Sequence, residues 1–234
     1  MRPAILRLVT LVIWCGFFLW LTLSGEVFRY VGPRTRWVVV FGAVIVGLAA
    51  FFQARSVASS RSADRGRASP GEKIGVAALL APIAIVMMIP KPTLGSEAAA
   101  RKRSSGFVGS VGSFAPVPQP GEDISFPEIN LASESDEYAA AVGIADGTKV
   151  RLTGFVTHPE GGPPGTFALT RFATFCCAAD AVPYSVTVDA ENASDPPDDT
   201  WLTVSGVLVG ESGEFVLQPE RITKSREPQN PYVY

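Results

Sequence analysis

The stretch WVVVFGAVIVGLAAFFQA, residues 37–54, decides how the first half of the chain is read. It holds no charge over 18 positions, and a helix of that length rises about 27 Å, close to the roughly 30 Å of a bilayer's hydrocarbon core. A core helix of a soluble domain would carry a polar stripe at helical spacing, and this run has none. Trp37 opens it with an aromatic ring suited to the headgroup layer. Two further runs repeat the pattern. Leu8–Ser24, rich in Leu, Val, Phe and Trp, follows Arg2 and Arg7, and Ile74–Pro90 is followed at once by Lys91. Residues 1–91 are therefore expected to form three transmembrane helices in a lipid bilayer.

Composition splits the chain in the same place. Its 234 residues leave room for one or two domains. At 47% hydrophobic, 18% charged and a mean hydropathy of +0.24, it is more apolar than a wholly soluble protein. Residues 1–103 carry 14 Lys/Arg against 4 Asp/Glu, net +10, whereas residues 104–234 carry 6 against 18, net −12. Such asymmetry means two parts in different surroundings. Three cysteines exclude a disulfide scaffold, the apolar content excludes a disordered chain, and a net charge of −2 excludes a strongly basic nucleic-acid binder.

The first run has the basic, apolar and small-residue zones of a signal peptide, but no A-x-A site follows Ser24–Gly25, so it is read as a retained helix. The loop over 55–73 holds Arg55, Arg61, Arg65, Arg67 and Lys73; the loop before the second run holds Arg29, Arg34 and Arg36. The positive-inside tendency puts the richer loop in the cytoplasm and the C-terminal domain outside. Lys91 and Arg101-Lys102-Arg103 even the count at seven basic residues a side, and discounting that distal run restores the bias. No Asp, Glu, His or Lys lies within a run, so the spans offer no ion relay. An anchor, or a packing partner of a larger membrane protein, fits better than a transporter. Ala43 with Gly47, and Ala77 with Ala81, have the spacing that allows close helix contact.

Residues 92–128, with Gly106, Gly109, Gly112, Pro116, Pro118, Pro120 and Gly121, read as a Gly/Ser/Pro-rich linker. Residues 129–234 read as a small all-β domain with one short helix at its start, over Ser133–Ile144, stopping at Asp146-Gly147. Strands are expected at Lys149–Thr157, Thr166–Cys176, Val182–Asp189, Trp201–Val209 and from Glu214 toward Ile222. Gly154 and Gly206 inside the first and fourth suit the bulges of a strongly bent barrel. An OB-like five-stranded barrel is expected, with a small β-sandwich as the alternative. Its net negative charge gives phosphates no basic groove, so nucleic acid is not an expected partner.

The chemically loudest segment is Phe172 through Ala181, with Cys176 and Cys177 adjacent. Their Cα atoms lie about 3.8 Å apart across a trans peptide, below the roughly 4.4–6.8 Å of an unstrained disulfide. The pair is thus free thiols, a strained vicinal disulfide, or part of a ligand set for a soft metal such as zinc. Cys176, Cys177, Asp180 and His158, the one histidine, would make a mixed set if the fold joins the loop after the first strand to the end of the second. The bland reading is two small hydrophobes buried under Phe172 and Phe175. No G-x-S-x-G, phosphate-binding Gly loop or H-E-x-x-H is present, so no enzyme activity is expected.

The three hydrophobic runs, Gly154-Phe155-Val156, Leu169-Thr170-Arg171-Phe172, Cys176-Cys177-Ala178-Ala179-Asp180-Ala181, Asp199-Thr200-Trp201, Gly206 and the Pro231-Tyr232 ending together resemble the YcgQ-like family of bacterial membrane proteins. The resemblance spans nearly the whole chain and implies a subunit of a two-component complex, paired with a multi-pass membrane permease. Some members of that family carry a His-rich loop between the second and third helices; residues 55–73 here contain no His. The expected function is a non-enzymatic accessory subunit of a membrane permease complex at the cell membrane, with an extracytoplasmic OB-like binding or gating domain. The alternative is a membrane-anchored thiol redox or metal-binding protein using Cys176-Cys177.

Overall fold

The computed structural model describes residues 3–32, 34–59, 68–88, 94–104, 124–190, 195–210 and 214–233. It divides into two units, Met1–Thr93 and Leu94–Tyr234.

The first unit holds α1 (Pro3–Leu23), α2 (Arg36–Ser59) and α3 (Pro70–Met88), of 21, 24 and 19 residues. All three are long and apolar enough to cross a membrane. They outreach the apolar runs because each continues into polar flanks, with Arg7 in α1, Arg36 and Arg55 in α2, and Glu72 and Lys73 in α3. Ile89, Pro90, Lys91, Arg61, Arg65 and Arg67 lie outside the described residues. Small residues bring α1 and α2 together: Ala43 is buried, and a Cβ on Gly47 would lie 3.6 Å from the Cys15 sulfur. Ala77 and Ala81 are exposed instead. Arg7 Nη2 pairs with Glu72 Oε1 at 3.3 Å, and Gln53 Nε2 donates to the Ala4 carbonyl at 3.4 Å. The start of α1, the end of α2 and the start of α3 therefore share one end of the unit.

The second unit opens with α4 (Ser96–Ser104), α5 (Phe126–Glu134) and α6 (Asp136–Val142). Its strands are β1 (Lys149–Thr157), β2 (Thr166–Ala173), β3 (Val182–Asp189), β4 (Trp201–Val209), β5 (Val216–Lys224) and β6 (Tyr232–Val233). Strands β1, β3 and β4 occupy the residues that alternation marked. Antiparallel pairs join β1 to β2, β2 to β3, β4 to β5 and β4 to β1, while β3 and β5 run parallel. The β1–β2 pairing closes the sheet into an OB-like barrel rather than a sandwich. Val150, Leu152, Val156, Leu169, Val186, Val204 and Leu217 fill its interior. Gly206 sits at a register shift against β5, where a side chain would strike the Gln218 backbone. Gly154 lets the Thr170 carbonyl approach within 2.6 Å of where a Cβ would be.

Three expectations change. The linker placed over 92–128 is helical at both ends: α4 lies within it, α5 begins at Phe126, and only 105–123 falls outside the described residues. Composition concealed α4 because its buried face is just Ala98 and Ala99, packed with Phe155, Phe172, Ala181 and Tyr232. The single helix over Ser133–Ile144 is two, because Ser135 ends α5 and caps α6, accepting the Tyr138 N–H at 3.2 Å. Ser125 and Glu128 form a capping box at the start of α5, and Phe126, Ile129 and Ala132 join the barrel core. Finally, β2 stops at Ala173, three residues short of Cys176, and a sixth strand pairs Tyr232 with Phe172.

Candidate functional site

The β2–β3 hairpin loop carries the thiol pair, and Asp180 shapes it. The Asp180 carboxylate turns back on the chain. Its Oδ1 accepts the Phe175 N–H at 3.0 Å, and its Oδ2 accepts the Cys176 and Cys177 N–H groups at 2.8 and 3.2 Å. Cys177 caps a 3-10 turn over Ala178–Asp180, so Cys177 and Asp180 stand as the first and last members of a capping box. Three convergent N–H donors on one carboxylate fix the backbone, and with it the direction of both thiols.

The sulfurs of Cys176 and Cys177 lie 3.7 Å apart, unbonded, in half-buried residues. Together with Asp180 they offer three ligand atoms within 4.8 Å of one another. The pair is half-buried, not buried as the bland reading required. Phe172 is committed to the cluster beneath α4, and Phe175 is itself 52% exposed. Thr174, two residues before the pair, is buried, and its hydroxyl has no hydrogen-bond partner.

Electrostatics hold the proton on Cys176 when nothing is bound. A side-chain hydrogen bond to Asp180, with the neighbouring Cys177 thiol, pushes Cys176 up to about 12. Burial alone would raise the Asp180 carboxyl, but the Cys176 side chain and the N–H groups of Cys176, Phe175 and Cys177 outweigh it and hold the group below its ordinary value. A Cys176 thiol held so high supplies little thiolate from that position for disulfide exchange.

His158 does not join this group. It follows β1 directly, and the eight residues of β2 separate its loop from the loop of the thiol pair. Its Nδ1 meets Asp198 at 2.8 Å, its Nε2 meets Asp195 at 2.9 Å, and its own N–H donates to Asp198 at 3.1 Å. Burial lowers its pKa, but the hydrogen bonds to Asp198 and Asp195 raise it more, so it lies above its ordinary value. The stretch 192–199 was legible only as turn-rich and acidic; the clasp of Asp195 and Asp198 on His158 was not. Asp180 was read as a ligand and proves to be foremost a clamp. The Cys-x-x-Asp spacing, equal to that of a capping box, was the available signal.

The outer face of β1, β2 and β3, which OB folds commonly use for ligands, is covered by this chain's own α4. A hydroxyl chain runs from Thr157 to Thr170 to Ser185, each step 2.8 Å, and ends on Arg103 Nη1 at 2.9 Å. Asp199 accepts the Ser96 N–H and hydroxyl at the start of the helix, and Lys102 Nζ donates to the Ala179 carbonyl at 3.0 Å. Burial lowers the Arg103 pKa.

Fold and site together define a chain with three potential membrane spans and an OB-like barrel that presents a vicinal thiol pair. Family models match both parts: the DUF1980 N-terminal domain over residues 6–105 and the DUF1980 C-terminal domain over 132–234. The chain belongs to the DUF1980 family, in agreement with its YcgQ-like sequence. No curated protein matches it.

Proposed function

We propose that this chain is a non-enzymatic accessory subunit of a membrane permease complex, in which the three spans dock on a multi-pass permease and the barrel serves outside the membrane as a binding or gating module. The observation that carries the reading is the character of the spans. Their apolar runs hold no Asp, Glu, His, Lys or Arg that could form a path for a polar solute, yet Trp37, Phe41, Phe51, Phe52 and Leu79 turn outward. Those faces suit lipid and a neighbouring helix bundle. The shared end of the helices carries Arg7, Arg55 and Lys73, matched by Arg29, Arg34 and Arg36 at the other end, so the orientation rests on the richer loop over 55–73, taken as cytoplasmic. The end of α3 then leads outward. The covering of the OB ligand face by α4 counts against an oligonucleotide partner.

The test is recovery of the tagged full chain from its native membrane in mild detergent. The expected result is a multi-pass permease in near-equal amount. A chain that runs alone, with the permease present in the same extract, overturns the proposal.

A further inference from the structure

We propose that Cys176 and Cys177 form an open two-thiolate site for a thiophilic metal cation, of the Zn²⁺ or Cu⁺ type, built to hold the ion for transfer rather than to hold the fold together. Geometry is the first support. A tetrahedral ion with metal–sulfur bonds of about 2.3 Å places two thiolates about 3.8 Å apart. The two sulfurs already stand at 3.7 Å, on a turn fixed by three N–H bonds to Asp180. Neither backbone nor sulfur has to travel to receive the ion.

Openness is the second. Structural zinc sites close with four protein ligands, whereas catalytic ones keep a position open to an incoming ligand. Here the turn offers two sulfurs and at most one carboxylate oxygen, so at least one position of a tetrahedral ion is left for water or for a ligand from a donor or acceptor protein. Phe175 lies next to the pair, and among the described residues it is the sole large apolar side chain exposed in the barrel unit. It marks the side from which another protein would approach.

Charge is the third. The Asp180 carboxylate stands among the ligand atoms, within 4.8 Å of both sulfurs, and its negative charge attracts a cation placed between them. In the binding step two S–H bonds break, two metal–sulfur bonds form, and two protons leave to water, so affinity rises with pH. No electron is transferred. This site stands independently of the accessory-subunit reading; where both hold, the solute handled by the complex is a thiophilic cation.

The experiment uses the reduced full chain in detergent, stripped with chelator and titrated in separate arms with Co²⁺ alone, as the stand-in for Zn²⁺, and with Cu⁺ alone. One ion per chain is expected, in the Co²⁺ arm with a thiolate-to-metal charge-transfer band that Zn²⁺ abolishes. Saturation in the Cu⁺ arm alone assigns the site to copper. Cys176→Ser and Cys177→Ser should each weaken binding by more than the roughly 10–100-fold typical of losing an outer-shell partner, and Cys15→Ser should leave it unchanged. In the parent chain, bound metal should protect Cys176 and Cys177 from alkylation, read by mass spectrometry, so the result does not depend on how the variants fold. No binding in either arm, or metal that leaves both thiols equally open to alkylation, overturns the proposal, whatever the permease recovery shows.

Discussion

Gly42 in α2 and Gly206 in β4 are the same residue in opposite surroundings. A methyl added at Gly42 meets nothing within 4 Å, whereas one at Gly206 runs into the Gln218 backbone at a register shift. The membrane unit is apolar nearly everywhere and buries little of itself; Thr10, Leu21, Val27 and Ala43 are among its few buried side chains. The barrel unit is acidic, and its core is closed on all sides by β1 through β5 and α5. Hydrophobicity identifies the first unit, but tight packing is concentrated in the second.

The largest expected effect tests that contrast directly. Gly206→Ala should cost about 3 kcal/mol, as overpacking against immovable backbone does, while Gly42→Ala should fall within about 0.5 kcal/mol. Thermal unfolding of the full-length variants in detergent, followed by circular dichroism in the helix and strand bands, compares them. Equal losses would erase the distinction between the units.

Next in size is the clamp of the thiol loop. Asp180→Ala leaves three backbone N–H groups without their acceptor and should cost about 2 kcal/mol, in the range for hydrogen bonds to a charged group. Because the folded carboxyl lies below its ordinary value, its stabilisation is present above the unfolded pKa of about 4 and is lost as pH falls through the folded one. Melting temperature against pH should show that acid loss in the parent and a reduced loss in the variant. Asp180→Asn should also speed alkylation of Cys176 at a given pH, since the charge that holds its proton is gone.

A smaller effect is expected at α4. Asp199 is the one non-glycine among the described residues with positive φ, 64°, and in that conformation its carboxylate reaches Ser96. Asp199→Ala should cost about 1 kcal/mol, a lost cap in a position that alanine tolerates poorly. Hydrogen exchange at the Ala99 amide, bonded to the Gly95 carbonyl at 3.0 Å, should quicken if docking depends on this contact. The smallest effect belongs to His158. Its folded pKa is raised, so its contribution is full below about 6.5 and disappears as pH rises through the folded value. Solvent screening holds it to a few tenths of a kcal/mol, and His158→Gln should flatten that part of the stability profile.

The two units differed as much in legibility as in packing. Long uncharged runs announce a span whatever surrounds them, and β1, β3 and β4 announce themselves because one face of each is buried. Helix α4 was hidden because its apolar contact is small, Ala98 and Ala99 on an aromatic surface, and its other anchors are polar bonds from Ser96, Lys102 and Arg103 to residues far along the chain. Strand β6 was hidden by its length of two residues and by its anchors. Arg171 donates to the Pro231 and Asn230 carbonyls at 3.2 and 2.8 Å, contacts between segments some sixty positions apart. At the site, adjacency made the cysteines conspicuous. Long-range hairpin geometry, which no local pattern carries, separated His158 from them.

The three cysteines divide between the units, Cys15 in α1 and the pair in the barrel loop, so one labelling experiment tests the central claim that an anchored barrel presents its thiols outside the membrane. Intact cells are treated with chelator and then with a membrane-impermeant maleimide at mildly alkaline pH, using the parent, Cys15→Ser and the Cys176→Ser/Cys177→Ser pair. Labelling of the parent and of Cys15→Ser is expected before lysis, and none of the double variant. Labelling of the parent that appears only after the membrane is opened, or that survives removal of the pair, would contradict it.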